Sequence, residues 1–292
     1  MKFLKNTLVA GLLTATAMTA PAYAGGTLRL DEVAIGELDP SIASDYADSI
    51  LMFNVYDTLV LPVQGGPGHA PHLATDWSSD GNTFTFNLRG DVKFQSGNPL
   101  TADDVVFSVD RMKAVGGKMA SLFNVVESVE AVDADTVRFT LSSPYTPFVA
   151  SLTRLPIVDK ALVMANLGEG EGDMGDWGKA FLSGNSAGSG AYTVSSHNPQ
   201  EETVMEKSGG YFLDIADAAP DMVRLRYGLE AATIRTLIAQ GEHDISSQWL
   251  PPEVKSALAN EGAQLLHETG TGAFYMKMNT TKAPLDDVNC RR

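Results

Sequence analysis

The stretch that decides the fold runs from Leu73 to Gly97 and reads LATDWSSDGNTFTFNLRGDVKFQSG. Its Ser-Asp-Gly-Asn segment at residues 79–82 is typical of a tight turn. Apolar and polar residues then alternate over residues 83–89, which predicts a half-buried β-strand. The pattern also predicts that this strand resumes over residues 92–94.

A helix start follows directly. Residues 101–104 read Thr-Ala-Asp-Asp, which resembles a capping box: a hydroxyl caps the helix, and an acid three residues later reaches back. Val105, Val109 and Met112 then recur on one helical face, and Gly116 with its neighbouring glycine predicts the end of the helix. The chain therefore passes from a strand into an amphipathic helix in this region.

The rest of the chain mixes strands and helices without a fixed-period repeat. This mixture predicts an α/β or α+β fold. Alternation predicts strands over 27–33, 136–141, 191–194, 203–206, 222–227 and 274–278, and 3.6-residue periodicity or proline at a helix start predicts helices over 46–60, 231–240 and 253–260.

The N-terminus has the pattern of a secretory signal peptide. Lys2 and Lys5 precede an uncharged apolar run over residues 7–20, and Ala22-Tyr23-Ala24 resembles a cleavage site. We therefore expect residues 1–24 to be removed after Ala24 and the mature protein to reside in the periplasm.

Charge and cysteine content exclude several classes of protein. The formal net charge is −15, so the chain repels nucleic acid and anionic lipid. Cys290 is the single cysteine, which excludes an internal disulfide.

Candidate catalytic and metal-binding residues are few. Gly184-Asn185-Ser186-Ala187-Gly188 matches the G-x-S-x-G pattern of a hydrolase nucleophile elbow, but the glycine-rich residues after Ser186 lead into a predicted strand, whereas an elbow needs a helix there. His69 and His72 are three residues apart but flank Pro71 in a predicted loop, which is weak evidence for a metal site. His243 is predicted to lie on the surface in a helix-to-strand turn. The sequence predicts no metal and no cofactor.

Several motifs in this order resemble one family, the family 5 extracytoplasmic solute-binding proteins, which are peptide- or nickel-binding components of ABC transporters. The resemblance extends from about residue 27 to the end of the chain. It rests on residues 73–97 and on Pro99-Leu100-Thr101-Ala102-Asp103-Asp104-Val105-Val106-Phe107-Ser108, Leu38-Asp39-Pro40, Val55-Tyr56-Asp57-Thr58-Leu59, Gly188-Ser189-Gly190-Ala191-Tyr192-Thr193-Val194 and residues 278–288.

The resemblance implies an α/β fold of the periplasmic-binding-protein-like type II class, with two lobes that close on a ligand. It implies that the ligand-facing part of lobe I is discontinuous, with residues 25–60 and 185–270, and that residues 61–184 form an outer subdomain. Residues 271–292 would be the hinge strand and the start of lobe II. Since family members are usually longer, the chain is expected to be C-terminally truncated and to contain mainly lobe I.

The implied function is capture of di- or oligopeptides and their delivery to ABC permease subunits, by a monomer that is not an enzyme. Three alternatives stay open. The solute could be a nickel chelate, an oligosaccharide or an opine-like compound; Ser186 could serve a periplasmic serine hydrolase; or the fragment could bind nothing.

The resemblance also implies the residues that touch the ligand. Two segments are expected to reach the cleft. One is the loop after the first strand, Ala34 to Asp39, with Ser44 and Asp45 next; the other follows Gly241-Glu242-His243-Asp244-Ile245. The aromatic Trp249 is the main candidate, because it can form an apolar floor and donate its indole N–H. The expected ligand-binding residues are Trp249, Gln248, Ser247, Ser246, Tyr275, Asp45 and Glu37.

Overall fold

The computed structural model describes residues 25–34, 37–266 and 277–292. It divides into two compact units, one that ends at Leu250 and one that comprises Pro251–Arg292. The predicted signal peptide, the predicted strand over residues 274–278 up to Met276 and the candidate Tyr275 lie outside the described residues.

The first unit contains both strands and helices. The strands are β1 (Thr27–Glu32), β2 (Val60–Pro62), β3 (His69–Pro71), β4 (Ala74–Asp80), β5 (Thr83–Leu88), β6 (Val126–Ala131), β7 (Thr136–Leu141), β8 (Tyr192–Asn198), β9 (Glu202–Lys207) and β10 (Met222–Tyr227). The α-helices are α1 (Tyr46–Val55), α2 (Ala102–Val115), α3 (Phe148–Ser151), α4 (Lys160–Met164), α5 (Lys179–Leu182) and α6 (Ala231–Ala239).

One four-stranded sheet joins the two ends of this unit. Its strand order is β1-β10-β9-β8, with β1 parallel to β10 and the other pairs antiparallel. The register places Leu30 beside Leu225 and Glu32 beside Tyr227. Leu225 lies in one buried cluster with Leu51 and Val55 of α1, so the apolar face of this sheet packs on that helix.

A second four-stranded sheet is entirely antiparallel, with the order β4-β5-β7-β6. Phe86 of β5 and Phe139 of β7 are fully buried and meet edge to face, with ring centroids 5.7 Å apart. Val105 and Val109 of α2 belong to the same cluster. Burial of each such side chain contributes about 1.5–3 kcal/mol, so the helix and sheet stabilise each other.

The predicted capping box of α2 is confirmed. The carboxylate of Asp104 accepts hydrogen bonds from the Thr101 backbone N–H at 2.8 Å and from its hydroxyl at 2.9 Å. Gly116 ends the helix in the left-handed region with φ 73°, where a side chain would be strained.

A buried ion pair connects α2 to the segment between β1 and α1. Arg111 and Asp39 are both 0 % exposed, and two guanidinium nitrogens each donate to a different Asp39 oxygen at 2.6 Å. Arg111 also donates to the Ser41 hydroxyl at 2.7 Å and to the Trp177 carbonyl at 2.8 Å. Every charge in this contact is therefore paired, as burial requires.

Two predicted boundaries are wrong. Helix α1 ends at Val55 and not at residue 60, because Tyr56 turns to an extended conformation and Val60 begins β2. Residues 92–94 do not continue the strand; Lys93 instead forms an isolated antiparallel bridge with Pro99. The chain folds back on itself there before α2 begins.

The glycines near residue 188 let the chain pass close to the end of α1. A Cβ atom on Gly188 would lie 2.0 Å from the Val55 carbonyl oxygen, and one on Gly190 would lie 2.4 Å from the Asn54 carbonyl oxygen. The Gly190 N–H donates to the Val55 carbonyl at 2.9 Å. Only glycine fits such a close backbone approach.

The second unit contains α7 (Pro252–Asn260) and the short α8 (Val288–Arg291). Proline occupies the first turn of α7, as predicted, where its missing N–H costs no helical hydrogen bond. Across both units, none of the helices in the described ranges combines the length and apolar character needed to cross a bilayer.

Candidate functional site

The candidate site lies at the carboxyl ends of the parallel strands β1 and β10, an edge where many α/β proteins bind ligands. The chain after His243 returns to this edge: Ile245 pairs with Leu30 of β1, and the Asp244 N–H donates to the Arg29 carbonyl at 2.9 Å. The Asp244 carboxylate also accepts from the Arg29 backbone N–H at 2.8 Å. Residues 244–245 therefore extend the sheet beyond β1.

His243 precedes this segment and fixes it to β1 through a buried contact with Asp31. It is 3 % exposed, and its Nε2 lies 2.8 Å from Oδ1 of Asp31, which is 5 % exposed. The prediction that His243 lies on the surface is therefore wrong. Within the described residues, His243 Nδ1 and the Ser246 hydroxyl oxygen are buried without a hydrogen-bond partner.

The predicted segment 246–249 follows directly. The Ser247 N–H points to Asp31 Oδ2 at 3.5 Å, and the Trp249 N–H donates to the Ser247 hydroxyl at 3.4 Å. The side chain of Trp249 is half exposed, and Gln248 is exposed. The structure thus places Ser247 next to Asp31, and Ser247 in turn contacts Trp249.

This segment and the end of β1 carry exposed apolar side chains. Val33 is 64 % exposed, Ile245 is 53 % exposed and Trp249 is 50 % exposed. We call Val33, Ile245, Ser247 and Trp249 the carboxyl-edge surface. It combines apolar area with the hydroxyl of Ser247, which suits a ligand that has both apolar and polar parts.

The other predicted site residues are placed differently. Asp45 precedes α1, its side chain is 78 % exposed, and it pairs with Lys118 at 3.4 Å. Glu37 is partly buried, and Tyr275 lies outside the described residues. The recorded contacts of Asp45 are therefore with its own helix and Lys118 and not with the carboxyl-edge surface.

Two acidic residues at the end of β1 were not among the predicted site residues. Consecutive strand residues point to opposite faces, so Asp31 faces His243 while Glu32 lies beside Tyr227 on the α1 side. Burial raises the pKa of the Glu32 carboxyl; the hydrogen bond from the Val33 N–H opposes this shift, and the Asp31 charge adds to it. Asp31 and Glu32 could have been found from the sequence, because two adjacent acids directly follow the alternating apolar residues of β1.

The G-x-S-x-G stretch does not have the structure of a nucleophile elbow. Helix α5 precedes Ser186, strand β8 follows it, and the Ser186 hydroxyl donates to the Gln95 side chain at 3.4 Å. Three histidines form side-chain hydrogen bonds with residues other than Ser186: His72 contacts Asp57, His197 contacts Thr203 and His243 contacts Asp31. Among the described residues, no group of three or more His, Cys, Asp and Glu side chains could hold a metal ion.

The chain is similar in sequence and in structure to known periplasmic binding proteins. The chain is 29 % identical over 266 residues to the probable D,D-dipeptide-binding periplasmic protein DdpA of Escherichia coli strain K12, covering 87 % of this chain and 49 % of that protein. The solved structure of DppA from Helicobacter pylori in complex with the peptide STSA is similar with a TM-score of 0.68 at 27 % identity, covering 80 % of this chain and 49 % of DppA.

A third similarity concerns the fold alone. MoaA of A. tumefaciens R10, solved in complex with mannopinic acid, has a TM-score of 0.73 at 24 % identity and covers 91 % of this chain and 54 % of MoaA. The chain spans about half the length of the curated relatives it matches. Residues 69–292 match the family described as bacterial extracellular solute-binding proteins, family 5 Middle. The chain belongs to this solute-binding family and shares the type II periplasmic-binding-protein fold.

Proposed function

We propose that the protein is the substrate-binding component of an ABC importer and captures di- or oligopeptides for a membrane permease. The observation that carries the proposal is the similarity, at 27–29 % identity over most of this chain, to a protein named as dipeptide-binding and to one solved with a bound peptide. In this function the protein carries out no reaction and acts as a monomer.

The proposal includes where the chain acts and how it is divided. Residues 1–24 serve as a signal peptide, and the mature protein works in the periplasm. Residues 25–60 and 185–270 form the ligand-facing part of lobe I, residues 61–184 form its outer subdomain, and residues 271–292 lead into lobe II. The pairing of β1 with β10 supports this division, because it joins two sequence-distant stretches in one sheet.

Peptide binding would use the carboxyl-edge surface. The half-exposed indole of Trp249 offers an apolar floor for peptide side chains of varied shape. The hydroxyl of Ser247 and the exposed side chain of Gln248 offer polar contacts, directly or through water. This arrangement gives little discrimination between side chains, which suits a binder of mixed peptides.

Isothermal titration calorimetry of the purified protein with tri- and tetrapeptides tests the proposal. We expect saturable binding, and we expect Trp249→Ala to weaken it about tenfold, because truncation of a well-placed aromatic contact removes about 1–2 kcal/mol. Val132→Ala is the matched control, since Val132 is also an exposed apolar residue at 45 % exposure but lies next to β6. Equal losses in both variants would contradict the proposed site.

The same titration includes a nickel–histidine chelate, an opine and an oligosaccharide. Binding of one of these solutes together with no response to any peptide would replace peptide by that solute. No response to any member of the panel would indicate that this chain alone does not bind.

A further inference from the structure

The segment that carries most of the carboxyl-edge surface is held tightly at its start and loosely afterwards. At residues 244–245 the backbone N–H groups donate to the Arg29 carbonyl at 2.9 and 3.2 Å. The next distances are longer: 3.5 Å from the Ser247 N–H to Asp31 Oδ2, and 3.4 Å from the Trp249 N–H to the Ser247 hydroxyl. Since N–H···O bonds in proteins are about 2.9–3.0 Å long, these two contacts lie at the limit of a hydrogen bond.

Two buried polar atoms, three residues apart in the chain, are without a hydrogen-bond partner among the described residues: His243 Nδ1 and the Ser246 hydroxyl oxygen. Their chemistry is complementary. A carboxylate only accepts, so Nε2 of the neutral His243 ring donates to Asp31 Oδ1 at 2.8 Å and Nδ1 keeps its lone pair. A serine hydroxyl can donate to that lone pair, directly or through one water molecule. One hydrogen bond would therefore satisfy both groups.

Several charged residues lie near His243 in the sheet or in the chain, on β1, on its neighbour β10, on α6 and in the turn after α6. They are Asp31, Arg29, Arg226, the exposed Arg235 and Glu242, and Asp244. Arg29 and Asp244 pair with each other at 3.2 Å, and Arg226 stands opposite Asp31 in the strand register. The buried carboxylate of Asp31 contacts the His243 ring directly, so it is the main charge that the ring meets when it takes up a proton.

We propose that His243 is a positioning residue that makes the ligand affinity of the carboxyl-edge surface depend on pH. A ligand that contacts Ser247 and Trp249 tightens the segment, and the Ser246 hydroxyl then donates to His243 Nδ1. A proton on Nδ1 takes the lone pair that this hydrogen bond needs, so ligand binding weakens as His243 is protonated. The inference rests on the proposed function, because it adds pH control to the same surface.

The positioning role is tested first without a ligand. The chain has three tryptophans, so the indole N–H signals of the whole protein are recorded by NMR, and the Trp249 signal is the one that disappears in Trp249→Phe. Because the Trp249 backbone bonds to Ser247, which contacts Asp31, this signal reports on the segment. We expect it to move between about pH 7.5 and about pH 5.5, where histidine titrates, and to stay in place in His243→Gln.

His197→Gln is the matched control, because His197 lies on β8 and bonds to Thr203; it should keep the wild-type movement of the Trp249 signal. A Trp249 signal that does not move in the wild-type protein, or that moves equally in His243→Gln, would overturn the inference. The first of these outcomes needs no variant at position 243, so the test holds even where that variant fails to fold.

The second arm is calorimetric titration with trialanine at the same two pH values. We expect the wild-type protein to bind about fivefold more weakly at the lower pH, which corresponds to the loss of one hydrogen bond, and His243→Gln to bind equally at both. Ser246→Ala should also lose the pH dependence. The double variant should bind no more weakly than either single variant, because both substitutions remove the same hydrogen bond. Ser195→Ala, which removes an exposed hydroxyl of β8, should keep the wild-type pH dependence.

The two arms separate this inference from the proposed function. Equal trialanine binding by the wild-type protein at both pH values, or additive losses in the double variant, overturns the inference and leaves the peptide function standing. A pH-dependent Trp249 signal that is lost in His243→Gln, without any trialanine binding, supports the positioning role and contradicts the peptide function.

Discussion

The buried Arg111–Asp39 pair gives the sharpest prediction for stability. Asp39→Asn keeps an oxygen that can accept the Ser41 N–H, which Asp39 Oδ1 binds at 2.9 Å, but it removes the negative charge. The guanidinium, fully buried, then faces an amide and keeps only the Ser41 hydroxyl and the Trp177 carbonyl as good acceptors. Loss of one partner of a buried pair costs about 3–5 kcal/mol.

The assay is urea denaturation followed by circular dichroism, with the free energy of unfolding extrapolated to water. We expect Asp39→Asn to lower this free energy of unfolding by about 3–5 kcal/mol. In a thermal melt of a protein of this size, the same loss lowers the melting temperature by about 10 °C. The double variant Asp39→Asn with Arg111→Met should recover a large part of the loss, because no uncompensated charge remains.

The matched control is the exposed pair Arg138–Glu130, whose side chains are 41 % and 59 % exposed. Glu130→Gln should cost less than about 1 kcal/mol, since solvent screens exposed pairs. If Asp39→Asn costs no more than Glu130→Gln, or if the double variant is less stable than Asp39→Asn alone, then the argument from burial is wrong.

Three further outcomes are expected. Gly190→Ala should destabilise the protein by about 1–3 kcal/mol in urea denaturation, because its Cβ would lie 2.4 Å from a backbone oxygen. Gly184→Ala is the control and should be near neutral, since a Cβ there would meet no atom within 4 Å. Equal effects of the two substitutions would contradict the close approach at Gly190. Burial raises the pKa of Tyr227 to about 12, so the contribution of this hydroxyl to stability is complete below pH 10 and is lost as pH rises toward 12. Tyr227→Phe should reduce the fall in melting temperature between pH 9 and 12. An unchanged pH dependence in this variant would contradict the raised pKa. Ser186→Ala should leave turnover of a chromogenic ester unchanged, and any turnover that depends on this serine would support the hydrolase interpretation.

Much of the fold was predictable because local patterns agree with burial. Strands β7 and β10 alternate cleanly between buried and less buried residues, and β5 alternates over its last three residues. Each of these strands was predicted within one residue of its observed bounds. The start and end of α2 were also predictable, since a capping box and a glycine stop are encoded within a few residues.

Other elements were missed for physical reasons. In β4 and β6 the first residue is buried and most of the others are exposed, so neither strand shows the alternation that predicts a strand. The end of α1 was misplaced because Tyr56 and Leu59 continue the apolar run that precedes them, and both are buried after the helix has ended.

The candidate site was predictable only in part. The residues after His243 were assigned to the cleft through their resemblance to a family, and the structure brings Ser247 of this segment to Asp31 at the end of β1. The burial of His243 was not predictable, because its partner Asp31 is 212 residues away in the sequence.

Calorimetric titration of the purified protein with a defined peptide mixture measures whether this chain binds peptides at its own surface. We expect saturable heat with the wild-type protein and about tenfold weaker binding for Trp249→Ala. Absence of peptide binding by a wild-type protein that unfolds cooperatively would contradict it.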